Sequence, residues 1–194
     1  MGKSSVVNKY LLPLRNQVID LVASDSTVLE LGCGNGDLLL KLAPRLRSGK
    51  GLDYSRGLIH DAQQQAAAKG FDHLCFEQVE LSLGYEVPDQ YDYTIASLFL
   101  HVVPWDVANH LLKVMCEASS KTIVCGFSAP GTRWQRFLLW LDQRFNKHYK
   151  YFKVYQARNG VEGLLKPLKG FQWTVYDTFD PVIKIYEITR KKTS

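Results

Sequence analysis

The stretch VLELGCGNGD (28–37) sets three glycines at alternate positions directly behind a run of aliphatic residues, and it constrains the fold more than any other feature of the chain. A short, unbroken run of Val and Leu side chains has the pattern of a strand buried on both faces. Glycines at its end allow positive φ and a sharp turn. The next stretch, DLLLKLAPRL (37–46), carries helical periodicity as far as Pro44, which ends or kinks it. Strand, glycine turn and helix form the opening unit of an open parallel sheet.

The rest of the chain keeps that alternation. Val7, Tyr10, Leu11, Leu14, Val18 and Val22 recur at helical spacing, so residues 5–23 are expected to form an amphipathic helix strained by Pro13. GKGLDYS (49–55) reads as a second strand, and GLIHDAQQQAAAKG (57–70) as a helix closed by Gly70. HLCFEQVEL (73–81), YDYTIASLFL (91–100) and KTIVCGFSA (121–129) read as three further strands, with a helix opened by Pro104 in PWDVANHLLKVMCEA (104–118). FQWTVYDTF (171–179) and VIKIYEITR (182–190) are joined only by a turn at Asp180 and Pro181, which is too short for a crossover, so they pair antiparallel. With 194 residues and 46% hydrophobic content the chain suits one core. The expected fold is α/β, a Rossmann-like doubly wound, mostly parallel sheet with helices on both faces, in a single domain over 1–194.

The glycine turn also discriminates between ligands. G-x-G-x-x-G fails in both registers, because Asp37 or Leu39 stands where the last glycine belongs, and G-x-x-x-x-G-K-[ST] is absent. E-x-G-x-G-x-G remains, with Asp53 ending the next strand. A carboxylate there accepts hydrogen bonds from the two vicinal hydroxyls of a ribose. The pattern therefore suits a ligand with a ribose and no pyrophosphate.

VLELGCGNGD, GLDYS, YDYTIASLFLHVV and the closing strand pair together resemble a class I S-adenosylmethionine-dependent methyltransferase of the small-molecule type, over nearly the whole chain. The resemblance implies a seven-stranded sheet with its last strand antiparallel. It implies that Glu30, Gly32, Gly34 and Gly36 meet the methionine end of S-adenosylmethionine, Asp53 the ribose and Tyr54 the adenine face. Glu80 and Leu81 fall where an acidic residue near the adenine amino group is often found, and Ser97 joins the cofactor-binding set. The product would be S-adenosylhomocysteine.

Methyl transfer is an in-line displacement, so alignment and exclusion of water carry most of the chemistry, and a general base is needed only for a poor nucleophile. His101 is the residue near SLFLHVVPW that titrates close to neutrality. It is either that base or a cap for the helix beginning at Pro104. The N-P-P-[YF] tetrapeptide of base-amino methyltransferases is missing; Ser97, Leu98, Phe99 and Leu100 leave an apolar wall instead.

Residues 131–158 are expected to form a helical insertion or lid over the cleft. Trp134, Phe137, Leu138, Leu141, Phe145 and His148 share one helical face, with Arg133, Arg136, Arg144 and Lys147 beside it. Residues 1–130 hold 11 Lys/Arg against 14 Asp/Glu, whereas 131–194 hold 13 against 5, so the basic surplus belongs to the last third. Three readings stand for this segment: a cover helix, a wall for an aromatic or lipid-like acceptor with peripheral membrane contact, and a nucleic-acid surface. Arg133, Trp134, Tyr151 and Tyr155 are the candidate substrate contacts. The preferred acceptor is a small molecule, aromatic, acyl or lipid-like. An RNA or protein acceptor, or a cofactor-binding pseudo-enzyme acting as partner or sensor, is the alternative.

No apolar run is long enough to span a bilayer and the first residues lack a signal-peptide pattern, so a cytoplasmic location is expected. Cys33, Cys75, Cys116 and Cys125 show no C-x-x-C pair or Cys/His cluster; they read as reduced core residues, and no metal site is expected. The oligomeric state stays open.

Overall fold

The computed structural model describes residues 3–129, 131–132 and 148–191, with side chains of the first helix described from residue 11 onward. The chain runs α1 (Lys3–Asp20), β1 (Ser26–Leu31), α2 (Asp37–Leu42), β2 (Leu46–Asp53), α3 (Arg56–Ala68), β3 (Leu74–Gln78), β4 (Tyr91–Ser97), α4 (Trp105–Glu117) and β5 (Ser119–Phe127). It continues through α5 (Tyr149–Ala157), α6 (Gly160–Leu165), β6 (Phe171–Asp177) and β7 (Ile183–Arg190). The strands make one sheet in the order β3-β2-β1-β4-β5-β7-β6. β7 pairs antiparallel with both β5 and β6, and the other pairings are parallel. The architecture expected from the alternation of elements is the one observed.

Burial explains the order. Val28, Leu29 and Leu31 of β1 are fully buried, as are Ile95 and Ala96 of β4 and Ile123 and Val124 of β5. These strands lie in the middle of the sheet, where helices cover both faces. α4 turns Val107, Ala108, Leu111, Leu112, Val114 and Met115 inward along one face. Chain order reverses between β1 and β4, and the carboxyl ends of those strands part to leave a crevice. Among the described residues no helix is long and apolar enough to cross a membrane.

Several boundaries differ from expectation. The first helix ends at Asp20, and Leu21 and Val22 follow as turns whose amides reach Val18 O and Ile19 O. α2 stops at Leu42 and gives way to one 3-10 turn over Ala43–Arg45, since Pro44 has no amide to continue the ladder. β3 is shorter than HLCFEQVEL suggests. Cys75 is exposed on that edge strand and not in the core, with Sγ 3.6 Å from Glu77 Oε1. Tyr149 opens a helix of its own, so the aromatic run 149–155 is α5.

Candidate functional site

The glycine turn bridges β1 to α2 and is tied to β2 by one acceptor. The amides of Gly32 and Cys33 both donate to Leu52 O, at 2.8 and 3.0 Å. Gly32, Gly34 and Gly36 have φ of 71°, 55° and 74°, a left-handed region that side chains with a Cβ rarely adopt. A Cβ on Gly32 would overlap the Phe99 ring, whereas one on Gly34 would meet nothing within 4 Å and would point into open space. The turn thus packs on one side and stays bare on the other.

Asp53, ending β2, builds the adjoining wall. Its Oδ2 accepts from Gly34 N at 2.9 Å and its Oδ1 from Ser55 N at 2.8 Å. Each oxygen keeps a lone pair for a further donor.

Between the turn, α1 and the end of β4 lies a cavity of about 150 Å³, lined by Leu11, Arg15, Glu30, Gly32, Gly34, Asp37, Ser97 and Leu98 among others. Glu30 is 3% exposed and its Oε2 has no hydrogen-bond partner. Burial holds its carboxyl well above the ordinary carboxylate range; Arg15 works against that, and Asp37 and Asp53 add to it. Arg15 Nε sits 3.1 Å from Asp37 Oδ2, an attractive distance, yet that oxygen is buried without a satisfied hydrogen bond. Glu30 Oε2 thus faces this small cavity with no donor among the described residues, and beside it Asp37 Oδ2 has the Arg15 ion pair but no well-formed hydrogen bond. Leu98, on the far wall, holds φ of 52°, fixed by its amide donating to Cys125 O at 2.7 Å. Strain of that kind concentrates where a fold fixes a ligand surface.

A family model described as a methyltransferase domain matches residues 23–131, which contain β1 through β5 and the whole glycine turn. The chain belongs to the methyltransferase domain family. An uncharacterized protein of Haemophilus influenzae is 28% identical over 123 residues, which are 63% of this chain and 43% of that protein. The chain thus spans less than half of that relative's length. Magnesium protoporphyrin IX methyltransferase from Synechocystis PCC 6803, solved with bound SAH, superposes with a TM-score of 0.67 at 19% identity, over 92% of this chain and 82% of that one. The N-methyltransferase NodS from Bradyrhizobium japonicum gives 0.66 at 14% identity, over 95% and 98%. At those identities the likeness establishes the Rossmann-like methyltransferase fold.

Within this methyltransferase the expected residues divide. Glu30, Gly32, Gly34 and Ser97 line the cavity, Gly36 completes the turn, and Asp53 is joined to it through Gly34. Tyr54 is 70% exposed, Glu80 is exposed, and Leu81 packs part-buried against the core; none of the three lines the cavity. Arg15 and Asp37 also line the cavity, and nothing in the sequence pattern singles them out. Arg15 lies on a helix remote in sequence, one residue past the apolar stripe at Leu14.

His101 is not a helix cap. Pro104 occupies the N-cap of α4 without a side-chain bond, and His101 is only 7% exposed. Its ring stands edge-on to Phe127, Phe152 and Tyr155, with centroids 4.9, 5.8 and 6.2 Å away. Tyr155 is therefore buried in this aromatic cluster and not at a surface, while Tyr151 lies part-buried, stacked on His148. Arg133, Trp134 and most of the lid expected over 131–158 fall outside the described residues.

Burial, with a smaller push from His148, lowers the His101 pKa from 6.5 to about 3, so the ring is neutral at physiological pH. Unfolding restores the ordinary value. The stability supplied by the neutral ring is thus complete above pH 6.5 and drains away as pH falls toward 3. His101→Phe is expected to flatten this acid arm while changing stability near pH 8 by less than about 1.5 kcal/mol. Urea denaturation across that range reads both effects; an unaltered acid arm would assign the titration elsewhere.

Proposed function

We propose that this methyltransferase domain transfers a methyl group from S-adenosylmethionine to a small molecule, aromatic, acyl or lipid-like. The observation that carries the donor half is the buried, unpartnered acceptor Glu30 Oε2 on the cavity wall, beside the Arg15–Asp37 ion pair. Leaving such an acceptor unmade costs about 1–3 kcal/mol, and an α-ammonium brings three donors. The Arg15 guanidinium on the same wall suits the neighbouring α-carboxylate. Asp53 has the free lone pairs that two ribose hydroxyls require, and bare Gly34 leaves room for the ligand to lie against the backbone. When bound, S-adenosylmethionine supplies an electrophilic methyl group on a positively charged sulfur.

The chain's own contribution is positional. Glu30, Asp37 and Arg15 orient the amino-acid end, Asp53 fixes the ribose, and Leu98 and Phe99 present an apolar wall that excludes water. His101, with its lowered pKa and its place among aromatic rings, serves in this reading as the anchor of α5 beside the site and not as its base. Apolar side chains at the end of β4 support a small acceptor, as do structural neighbours named for porphyrin and mitomycin methylation. The basic surplus of residues 131–194 favours a second reading, an RNA or protein acceptor.

Incubation with methyl-labelled S-adenosylmethionine and a cell extract, followed by fractionation, separates these. Label is expected in the organic or small-polar fraction. Label in nucleic acid or protein establishes the second reading, and bound cofactor with no transferred label makes the domain a binding module.

Glu30 supplies a further test. Its folded pKa lies above its unfolded one, so the protein is unpenalised below about pH 4.5 and loses stability as pH rises through the raised value. Glu30→Gln is expected to stabilise the cofactor-free protein at neutral and alkaline pH. It should also weaken cofactor binding by roughly ten- to a hundredfold, the loss of a charged hydrogen bond. Thermal melts over pH and titration calorimetry check the two halves, and undiminished affinity would take Glu30 out of the site.

A further inference from the structure

Among the described residues β6 ends the sheet with the outer side of its ladder unpaired, and only Phe171 of its seven residues is buried. Trp173 and Val175 are 42% and 44% exposed. They lie two apart, so they share a face with their β7 partners Ile188 and Tyr186. The Tyr186 hydroxyl donates to Glu162 of α6 at 2.6 Å, which places that face on the helix side of the sheet. Exposed edges in soluble proteins are normally blunted by charge, proline or shortness. The opposite edge, β3, follows that rule: it has five residues, and its Glu77 is ion-paired to Lys50 at 3.0 Å. β6 has neither proline nor charge from Phe171 to Tyr176.

We propose that β6 is the self-pairing edge of a two-fold homodimer. Antiparallel pairing centred on Thr174 sets Trp173 against Val175 of the second copy, Gln172 against Tyr176 and Phe171 against Asp177. It covers both exposed apolar residues with each other, twice, as an isologous contact requires. The ends match in charge as well. Arg190 pairs with Phe171 in the sheet and holds its guanidinium 5.3 Å from that ring's centroid, so each Asp177 carboxylate, already 3.3 Å from Lys184 Nζ of its own copy and 88% exposed, meets the other copy's basic corner as well. No like charges face each other along the strand. The occupant is a second copy of this chain because the edge is complementary to itself in side-chain face and in charge.

Sedimentation of the full chain at micromolar concentrations is expected to give a species of twice the chain mass, with hydrogen exchange slowed along β6. Trp173→Lys with Val175→Lys, both at exposed positions, should yield a monomer that keeps its circular dichroism and its S-adenosylhomocysteine affinity. Asp177→Arg should weaken dimerisation by roughly tenfold or more, and adding Arg190→Asp should restore it. A monomer at every concentration overturns the proposal. So does a dimer indifferent to the lysine pair, or one whose β6 amides exchange freely.

Discussion

Gly32→Ala is expected to remove measurable cofactor binding and to cost about 2–4 kcal/mol of stability, combining left-handed backbone strain with overpacking. The position has φ of 71°, and a methyl there would overlap Phe99, whose own Cβ would stand only 2.7 Å away. Turning the ring aside would not relieve the contact with the Phe99 Cβ, which no side-chain rotation moves. In a domain of this size the melting temperature should fall by about 5–15 °C. Gly34→Ala makes the informative comparison. It has a similar φ of 55° but no neighbour within 4 Å, so it should cost less stability while still placing a methyl where the ligand lies. Denaturation curves and calorimetry with S-adenosylhomocysteine separate the two variants. Phe99→Ala added to Gly32→Ala should return part of the lost stability; no recovery would mean that Phe99 is not the obstacle.

Asp53→Ala carries the second large effect. Each carboxylate oxygen holds one amide, Gly34 at 2.9 Å and Ser55 at 2.8 Å, so truncation frees two donors and removes the proposed ribose acceptor together. Affinity should fall by about 3 kcal/mol, roughly a hundredfold or more, as expected for charge-assisted bonds left unpaired. Asp53→Asn retains one carbonyl oxygen and should lie between, at about 1.5–3 kcal/mol. Unchanged affinity in Asp53→Ala, measured by calorimetry, would separate this carboxylate from the ligand.

These residues stand out in the sequence because the turn and strand end they form are local structure. VLELGCGNGD spells a strand, a left-handed turn and a helix start in consecutive positions, and Asp53 closes the next strand in the same way. Pro44 and the turn at Asp180 and Pro181 act on their immediate neighbours, so they set boundaries correctly. Arg15 is different. It reaches Asp37 and Glu30 only because Leu14 and Val18 dock α1 against the sheet, a contact between elements that no periodicity encodes. His101 and Tyr155 fail for a related reason. An amphipathic residue gives no sign of whether its ring will be caged until α5 folds back over β5, so the sequence offers His101 as a base or cap and Tyr155 as a substrate contact where the fold buries both among aromatic rings.

One carbonyl oxygen, Leu52 O, receives the amides of both Gly32 and Cys33, while the next residue, Asp53, receives Gly34. On the proposed reading, the sugar end and the amino-acid end of the cleft are therefore parts of a single clasp, set before anything enters it. Adenosine and homocysteine offered separately would each find their half already shaped, and neither would prepare the way for the other. Joined through sulfur, the two pieces gain the effective concentration of a tether, and no strand has to move to grant it. On that reading, discrimination for the intact molecule over its fragments would come from covalent linkage in the ligand meeting a preformed turn in the protein.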